Sequence, residues 1–331
     1  MADATPTSST ARPGLPSAPP SADRVGGAGG TPRLSLRPRL RSRLGWRLWS
    51  YAFVLPAVIA LAATFGYPLV EVARFSFYAG TIQQPVYVGT GNYLELWHDP
   101  VFIRSVLDNL KLLTAVPVMT VLAIGIALAI NAGYRRMKVY QAIVFLPYVL
   151  PATAIGLTFS YLLSQSGIVN TVLRQWHLGG FAKDWLGSAH WAIPTIGAVI
   201  IWQQLGFGVV VLTAALLAVP QELIEAARID GASGWRIQWF ILIPHIRRII
   251  GLFVMIEAIT MLSAVFTYVF VLTQAGPAYS SSVMEYYIYQ NGFQEGAVGL
   301  ASAAAVVLLA VASVFIIVYL RLRSRSDQVE T

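Results

Sequence analysis

Few residues in this 331-residue chain could do chemistry, and most of them are not arranged for it. The four histidines, His98, His177, His190 and His245, are scattered and share no metal-ligand spacing. Cysteine is absent, which excludes a disulfide framework, a thiolate metal site and a cysteine nucleophile. There is no zinc-protease H-E-x-x-H, no nucleophile-elbow G-x-S-x-G and no phosphate-binding P-loop. The three lysines, Lys111, Lys138 and Lys183, lie in no glycine-rich loop. No catalytic residue, metal ligand or resident cofactor is therefore expected, and any ATP-driven work must draw on a separate subunit.

What remains is the run from Glu225 to Pro244, charged and amphipathic yet set between two long apolar segments. Pro220, Glu222 and Glu225 suit a helix start, where a missing N–H costs nothing and the dipole favours acids. Gly231 suits its end, because glycine tolerates the left-handed conformation of a C-cap. Ser233 can cap a second short helix, and Pro244 suits the start of the next long one. Ala226 and Ala227 leave room for another surface to approach closely. A short helix, a turn and a second short helix in a membrane loop form a docking element for a soluble partner.

The elements that would position this loop follow from composition. Hydrophobic residues make up 56% and charged residues 11%, against roughly 25% charged in soluble domains. Mean hydropathy is +0.63. Six apolar segments approach the length of about 20 residues needed to cross a bilayer: 49–70, 110–131, 140–163, 192–218, 249–272 and 298–320. Pro56, Pro117, Pro147, Pro151 and Pro194 fall within them, as membrane helices allow. Trp46, Trp49, Tyr51, Trp185, Trp191, Trp202 and Tyr319 are expected near span ends as interfacial anchors. Residues 1–44, rich in Pro, Ser, Ala, Gly and Arg, read as a disordered tail rather than a signal peptide. Residues 45–325 form the membrane domain, and 326–331 a short C-terminal tail.

The basic residues set the orientation. Eight lie in the N-terminal tail, three in 132–139, four in 219–248 and three at the C-terminus. The other five are Arg74, Arg104, Lys111, Arg174 and Lys183, on the opposite side. The positive-inside rule places both termini and the Glu225–Pro244 loop in the cytoplasm. The same rule accounts for the net charge of +8 without nucleic acid.

The spacing Glu225-Ala226-Ala227, Gly231, Ile241, Ile243-Pro244 resembles the EAA motif of binding-protein-dependent ABC importer permeases, with Ile243 where leucine is usual. Asp230-Gly231-Ala232-Ser233 and Trp235 resemble its carbohydrate-uptake, MalF-like branch. Thr273-Gln274-Ala275-Gly276-Pro277 is similar to that branch's Thr-x-Gly-Gly-Pro turn, with Ala275 in place of a glycine, and Gly167-Ile168-Val169-Asn170 to its Gly-x-x-Asn. The resemblance implies an all-α membrane protein of MetI-like permease fold, with six transmembrane helices and a cytoplasmic EAA coupling helix pair. It also implies a second homologous permease as a heterodimer partner, an ABC ATPase dimer that binds ATP and Mg, and an extracytoplasmic solute-binding protein. The setting would be the cytoplasmic membrane of a prokaryote, and the cargo a sugar or related polyol or oligosaccharide. The coupling residues it implies are Glu225, Ala226, Ala227, Asp230, Gly231, Ile241, Ile243 and Pro244. Of these, Glu225 would contact the ATPase, the alanines would allow close packing, and Gly231 would make the turn.

For the solute pathway, Trp202, Gln203 and Gln204 offer an aromatic face and two amides inside an apolar segment, and Thr267 and Tyr268 lie in the next span. Interhelical hydrogen bonding or interfacial anchoring accounts for the same residues. Glu257, inside the fifth segment, could pair with an arginine such as Arg248, contact the partner permease or line a vestibule. A secondary transporter or channel would need coupling charges or inverted repeats. A membrane enzyme would need paired acids or a metal motif.

Overall fold

The computed structural model describes residues 53–81, 83–132 and 137–328. The expected N-terminal tail, Trp46, Trp49, Tyr51, Arg135, Arg136 and the last three residues lie outside these. By compactness the chain divides into Met1–Val58 and Ile59–Thr331. Of the first unit, Phe53–Val58 is described and is helical.

Five helices among the described residues are long and apolar enough to cross a bilayer, or six if one bent pair counts as a span. The first, α1 (Phe53–Phe75), contains a π turn at Ala62–Gly66. A hairpin follows, β1 (Tyr78–Thr81) paired antiparallel with β2 (Gln84–Tyr87), then α2 (Gly91–His98). The second span joins α3 (Pro100–Leu113) to α4 (Ala115–Asn131). Asp99 starts it by accepting a hydrogen bond from the Val101 N–H at 2.8 Å, with Pro100 in the first turn.

The segment expected to be one span over 140–163 is broken. Helices α5 (Met137–Val149) and α6 (Ala152–Leu162) meet at 92°. Pro151 is the cause: it has no N–H to continue the helix and disfavours helical geometry at Leu150. After α7 (Ile168–Gln175), α8 (Ala192–Leu217) is the central helix, its buried residues distributed along its whole length. It packs on α4 and α5, and Gly206 explains the closeness: a Cβ there would collide with the Val144 carbonyl of α5.

Helix α9 (Gln221–Ile229) precedes α10 (Gly234–Ile237). The expected helix pair is present, but its second member is not free-standing. Helix α10 runs through a π turn at Gln238–Leu242 into α11 (Ile243–Ser263), so Gly234–Ser263 is one helix of 30 residues. Pro244 cannot donate to the preceding turn. The wider π turn, in which the Ile243 N–H bonds to the Gln238 carbonyl, carries the helix past it. The fifth apolar segment also differs from the expected 249–272: α11 stops at Ser263, and α12 (Phe266–Leu272) is separate. Helix α13 (Met284–Tyr289) and the last span, α14 (Val298–Gln328), complete the chain. The main core gathers α4, α8, α11 and α12.

Candidate functional site

The loop between α8 and α11 is built from its own backbone. Pro220 is the N-cap of α9, with Glu222 in the first turn. At the other end Asp230 is the C-cap and Gly231 has φ +79°. The Ala232 N–H reaches back to the Ala227 carbonyl at 2.9 Å and the Gly231 N–H to the Arg228 carbonyl at 3.1 Å. These two bonds satisfy carbonyls the helix leaves over, and they need a left-handed residue at 231. Nothing lies within 4 Å of where a Cβ would sit, so conformation and not crowding selects glycine. Ser233 occupies the N-cap of α10, but its side chain makes no capping bond; its carbonyl accepts from the Ile237 N–H at 3.0 Å.

The loop has two faces. Glu225, Ala226, Arg228, Ile229 and Asp230 are exposed, Ile229 at 86%. Ile224, Ala227, Ala232, Ile241 and Ile243 pack against the chain's own core. The two alanines thus separate: Ala226 is on the open face, and Ala227 lets α9 lie close to its own bundle. Trp235, Trp239 and Phe240 add exposed apolar surface beside the charges. Charged and apolar side chains thus stand exposed side by side on this face.

In the interior, the structure joins two of the five pathway candidates. Gln203 is 5% exposed and both ends of its amide are engaged. Its Nε2 donates to the Leu150 carbonyl at 2.9 Å, and its Oε1 accepts from the Tyr268 hydroxyl at 2.7 Å. Leu150 is the residue at the Pro151 break, so Gln203 bonds a carbonyl exposed by that break and ties it to α12. Gln204 and Thr267 are half-buried and stand outside this bridge. Trp202 turns away from it, 44% exposed, with its ring edge-on to Phe159 at 5.2 Å. It is the eleventh residue of α8, well inside the span and not at an end as an anchor would be.

Glu257 is 2% exposed, and its Oε2 has no hydrogen-bond partner among the described residues. Arg248 does not serve it: the two are nine residues apart on α11, which at about 3.6 residues per turn puts them on opposite faces.

Two further polar centres stand out, the first of them absent from the sequence reading. Asn109 donates to the Met261 carbonyl at 3.3 Å and to Glu285 Oε2 at 3.4 Å, and accepts from the Met284 N–H at 2.8 Å. Burial pushes the Glu285 carboxyl up to about 7, against the opposing pull of its own N–H, the Asn109 amide and the Val265 N–H. This knot holds α3, the end of α11 and α13 together. The second centre is Asn170, of the Gly167–Asn170 signature. Its Nδ2 donates to the carbonyls of Ser164, Gln165 and Lys183, and its Oδ1 accepts from Trp185 Nε1 at 2.9 Å. Asn109 could not be read from the sequence because its partners lie more than 150 residues away, whereas those of Asn170 are all within 15 residues.

Comparison with known proteins gives a consistent result. The model of the family described as binding-protein-dependent transport system inner membrane component matches residues 121–327. The chain is 35% identical to the diacetylchitobiose uptake system permease protein NgcF of Streptomyces coelicolor, covering 69% of this chain and 68% of that one. It is 30% identical to the lactose transport system permease protein LacF of Rhizobium radiobacter, covering 74% and 83%. Among solved structures, a chain of a bacterial alginate ABC transporter, in complex with an alginate pentasaccharide-bound periplasmic protein, superposes with a TM-score of 0.75. That match has 26% identity and covers 87% of this chain and 98% of the other.

Proposed function

We propose a function from the premise that this chain belongs to the binding-protein-dependent transport system inner membrane components, to which residues 121–327 assign it. It is a multi-pass permease subunit of an ABC importer. The cargo is a sugar or a related polyol or oligosaccharide, the class that the names of NgcF and LacF carry. The chain pairs with a second homologous permease, receives solute from an extracytoplasmic binding protein, and docks on an ATPase dimer that holds the ATP and Mg. Both termini and the α9–α10 elbow face the cytoplasm, the side to which the basic residues are biased.

The observation that carries this reading is the elbow itself. Gly231 turns it, Ala227 seats it on the bundle, and Glu225, Ala226, Arg228 and Asp230 are left open to solvent. Glu225 makes the charged contact with the ATPase. Ala226 allows its surface to approach. Asp230 and Gly231 fix the turn, and Ile241, Ile243 and Pro244 continue it into the membrane helix. ATP-driven closure of the ATPase dimer then moves the elbow and switches the bundle between inward- and outward-facing states. Trp202 and Gln204 line the solute path, with Thr267 beside it. Gln203 and Tyr268 shape that path from behind, since each is committed to the other.

Uptake of radiolabelled sugar by cells carrying the whole importer tests the coupling role. Glu225→Lys is expected to abolish uptake while the chain stays in the membrane at its normal level. Uptake at the unsubstituted rate would refute the coupling assignment.

A further inference from the structure

At the end of the bundle away from the elbow, a cavity of about 540 Å³ opens between the second and fourth spans. Its polar residues lie at one end. Lys111 and Thr114 come from the junction of α3 and α4, and His190 from the approach to α8. The rest of its wall is apolar and runs inward along both helices, through Leu112, Val118, Gly197 and Ile201. At about 1.5 Å per residue, Lys111 to Val118 and Ile193 to Ile201 each cover roughly 10–12 Å of depth.

One cation, Lys111, stands at the mouth, and the acid beside it is shared with a second cation. Lys111 gives one of its three donors to Asp108 Oδ1 at 2.7 Å, yet its side chain remains 60% exposed. Arg104 Nε lies 3.8 Å from the other oxygen of the same carboxylate. Arg104 lies two turns back along α3, outside the cavity lining, so Asp108 is divided between it and the rim lysine. A sugar does not fit this shape: most of the wall offers its hydroxyls no partner. An amphiphile does, with an anionic head at the cationic rim and a chain along the apolar wall. The neighbouring cavity, lined by Trp185, Trp191 and Trp202, has no charged residue in its lining.

We propose that this cavity binds an anionic phospholipid of the phosphatidylglycerol class, with its phosphate at Lys111 and an acyl chain against Val118, Gly197 and Ile201. The site needs neither the identity of the cargo nor the coupling role of the elbow.

The test is retention of lipid by the purified importer containing the full chain. The complex is stripped with detergent and equilibrated with equimolar dioleoyl phosphatidylglycerol and dioleoyl phosphatidylcholine, and bound lipid is counted by native mass spectrometry. The unsubstituted chain is expected to keep phosphatidylglycerol in preference. Lys111→Gln is expected to cut that preference about fivefold, the weight of one basic residue at a lipid surface, and Lys111→Arg to preserve it. Val118→Trp, which fills the wall, is expected to lower retention of both lipids. The Gln and Arg variants decide the matter if Val118→Trp fails to assemble. Equal retention of the two lipids, preference unchanged in Lys111→Gln, or a cavity found covered by the second permease would each overturn the proposal.

Discussion

The bridge from Leu150 through Gln203 to Tyr268 makes a quantitative prediction. Replacing Gln203 by Met conserves size but removes both hydrogen bonds, leaving the Leu150 carbonyl and the Tyr268 hydroxyl without their partner. Hydrogen bonds between membrane helices contribute about 0.6 kcal/mol on average and up to about 1.7 kcal/mol. Two of them give an expected loss of about 1–3 kcal/mol. Tyr268→Phe removes one bond, so its expected loss is about half of that. Because both substitutions break the same Tyr268–Gln203 bond, the double variant should cost less than the sum of the two, by about 0.6–1.7 kcal/mol. The assay is unfolding of the purified importer in mixed micelles with rising SDS, followed through the four chains of a double-mutant cycle. Losses that add to within about 0.3 kcal/mol would refute the reasoning. They would mean that Gln203 and Tyr268 each act with some other group.

Three further outcomes are expected. Gly231→Ala places a Cβ at φ +79° and should cost about 1–2 kcal/mol, read as a lower SDS midpoint; an unchanged midpoint would show that the turn tolerates a side chain. Glu285 holds its proton up to about 7, above the 4.5 of a free carboxyl. It therefore contributes stability that is complete below about 4.5 and lost as pH rises through about 7, up to about 3 kcal/mol in all. Unfolding midpoints at pH 5 and pH 8 should differ less in Glu285→Gln, and an equal difference would exclude this carboxyl as the source. Asn170→Ala leaves several half-buried partners unpaired, at about 1–3 kcal/mol. It should open residues 164–185 to protease and shift Trp185 fluorescence; a resistant loop would count against the Asn170 staple.

The parts of the fold that were legible in the sequence are those set by local chemistry. Apolar length alone marks the spans, because every backbone polar group in a bilayer core must be paired within a helix. Gly231 announced its turn because no other residue is as comfortable at that backbone angle. The breaks were not legible in the same way. Hydropathy sums side-chain transfer energies and is blind to backbone continuity, so 140–163 and 249–272 read as unbroken. Pro151 was visible, but membrane helices often run through proline, and what decides is whether another group takes the freed carbonyl. That group, Gln203, lies 53 residues further along the chain. The same distance hid the pathway: Trp202 and Gln203 are sequence neighbours, yet one faces outward and the other is locked inside.

The unbroken run from Gly234 to Ser263 has a mechanical consequence. At about 1.5 Å per residue it is a connecting rod roughly 45 Å long. One end carries Trp235, and the other stops at the Ala264–Val265 joint, with Glu257 riding near it. A push or roll imposed at the Trp235 end would travel along a single helix, whose one irregularity is the π turn at Gln238–Leu242. Helix α10 and the deep interior are therefore one piece, and the places left for bending are those where the backbone already changes direction, Gly231 and Ala264.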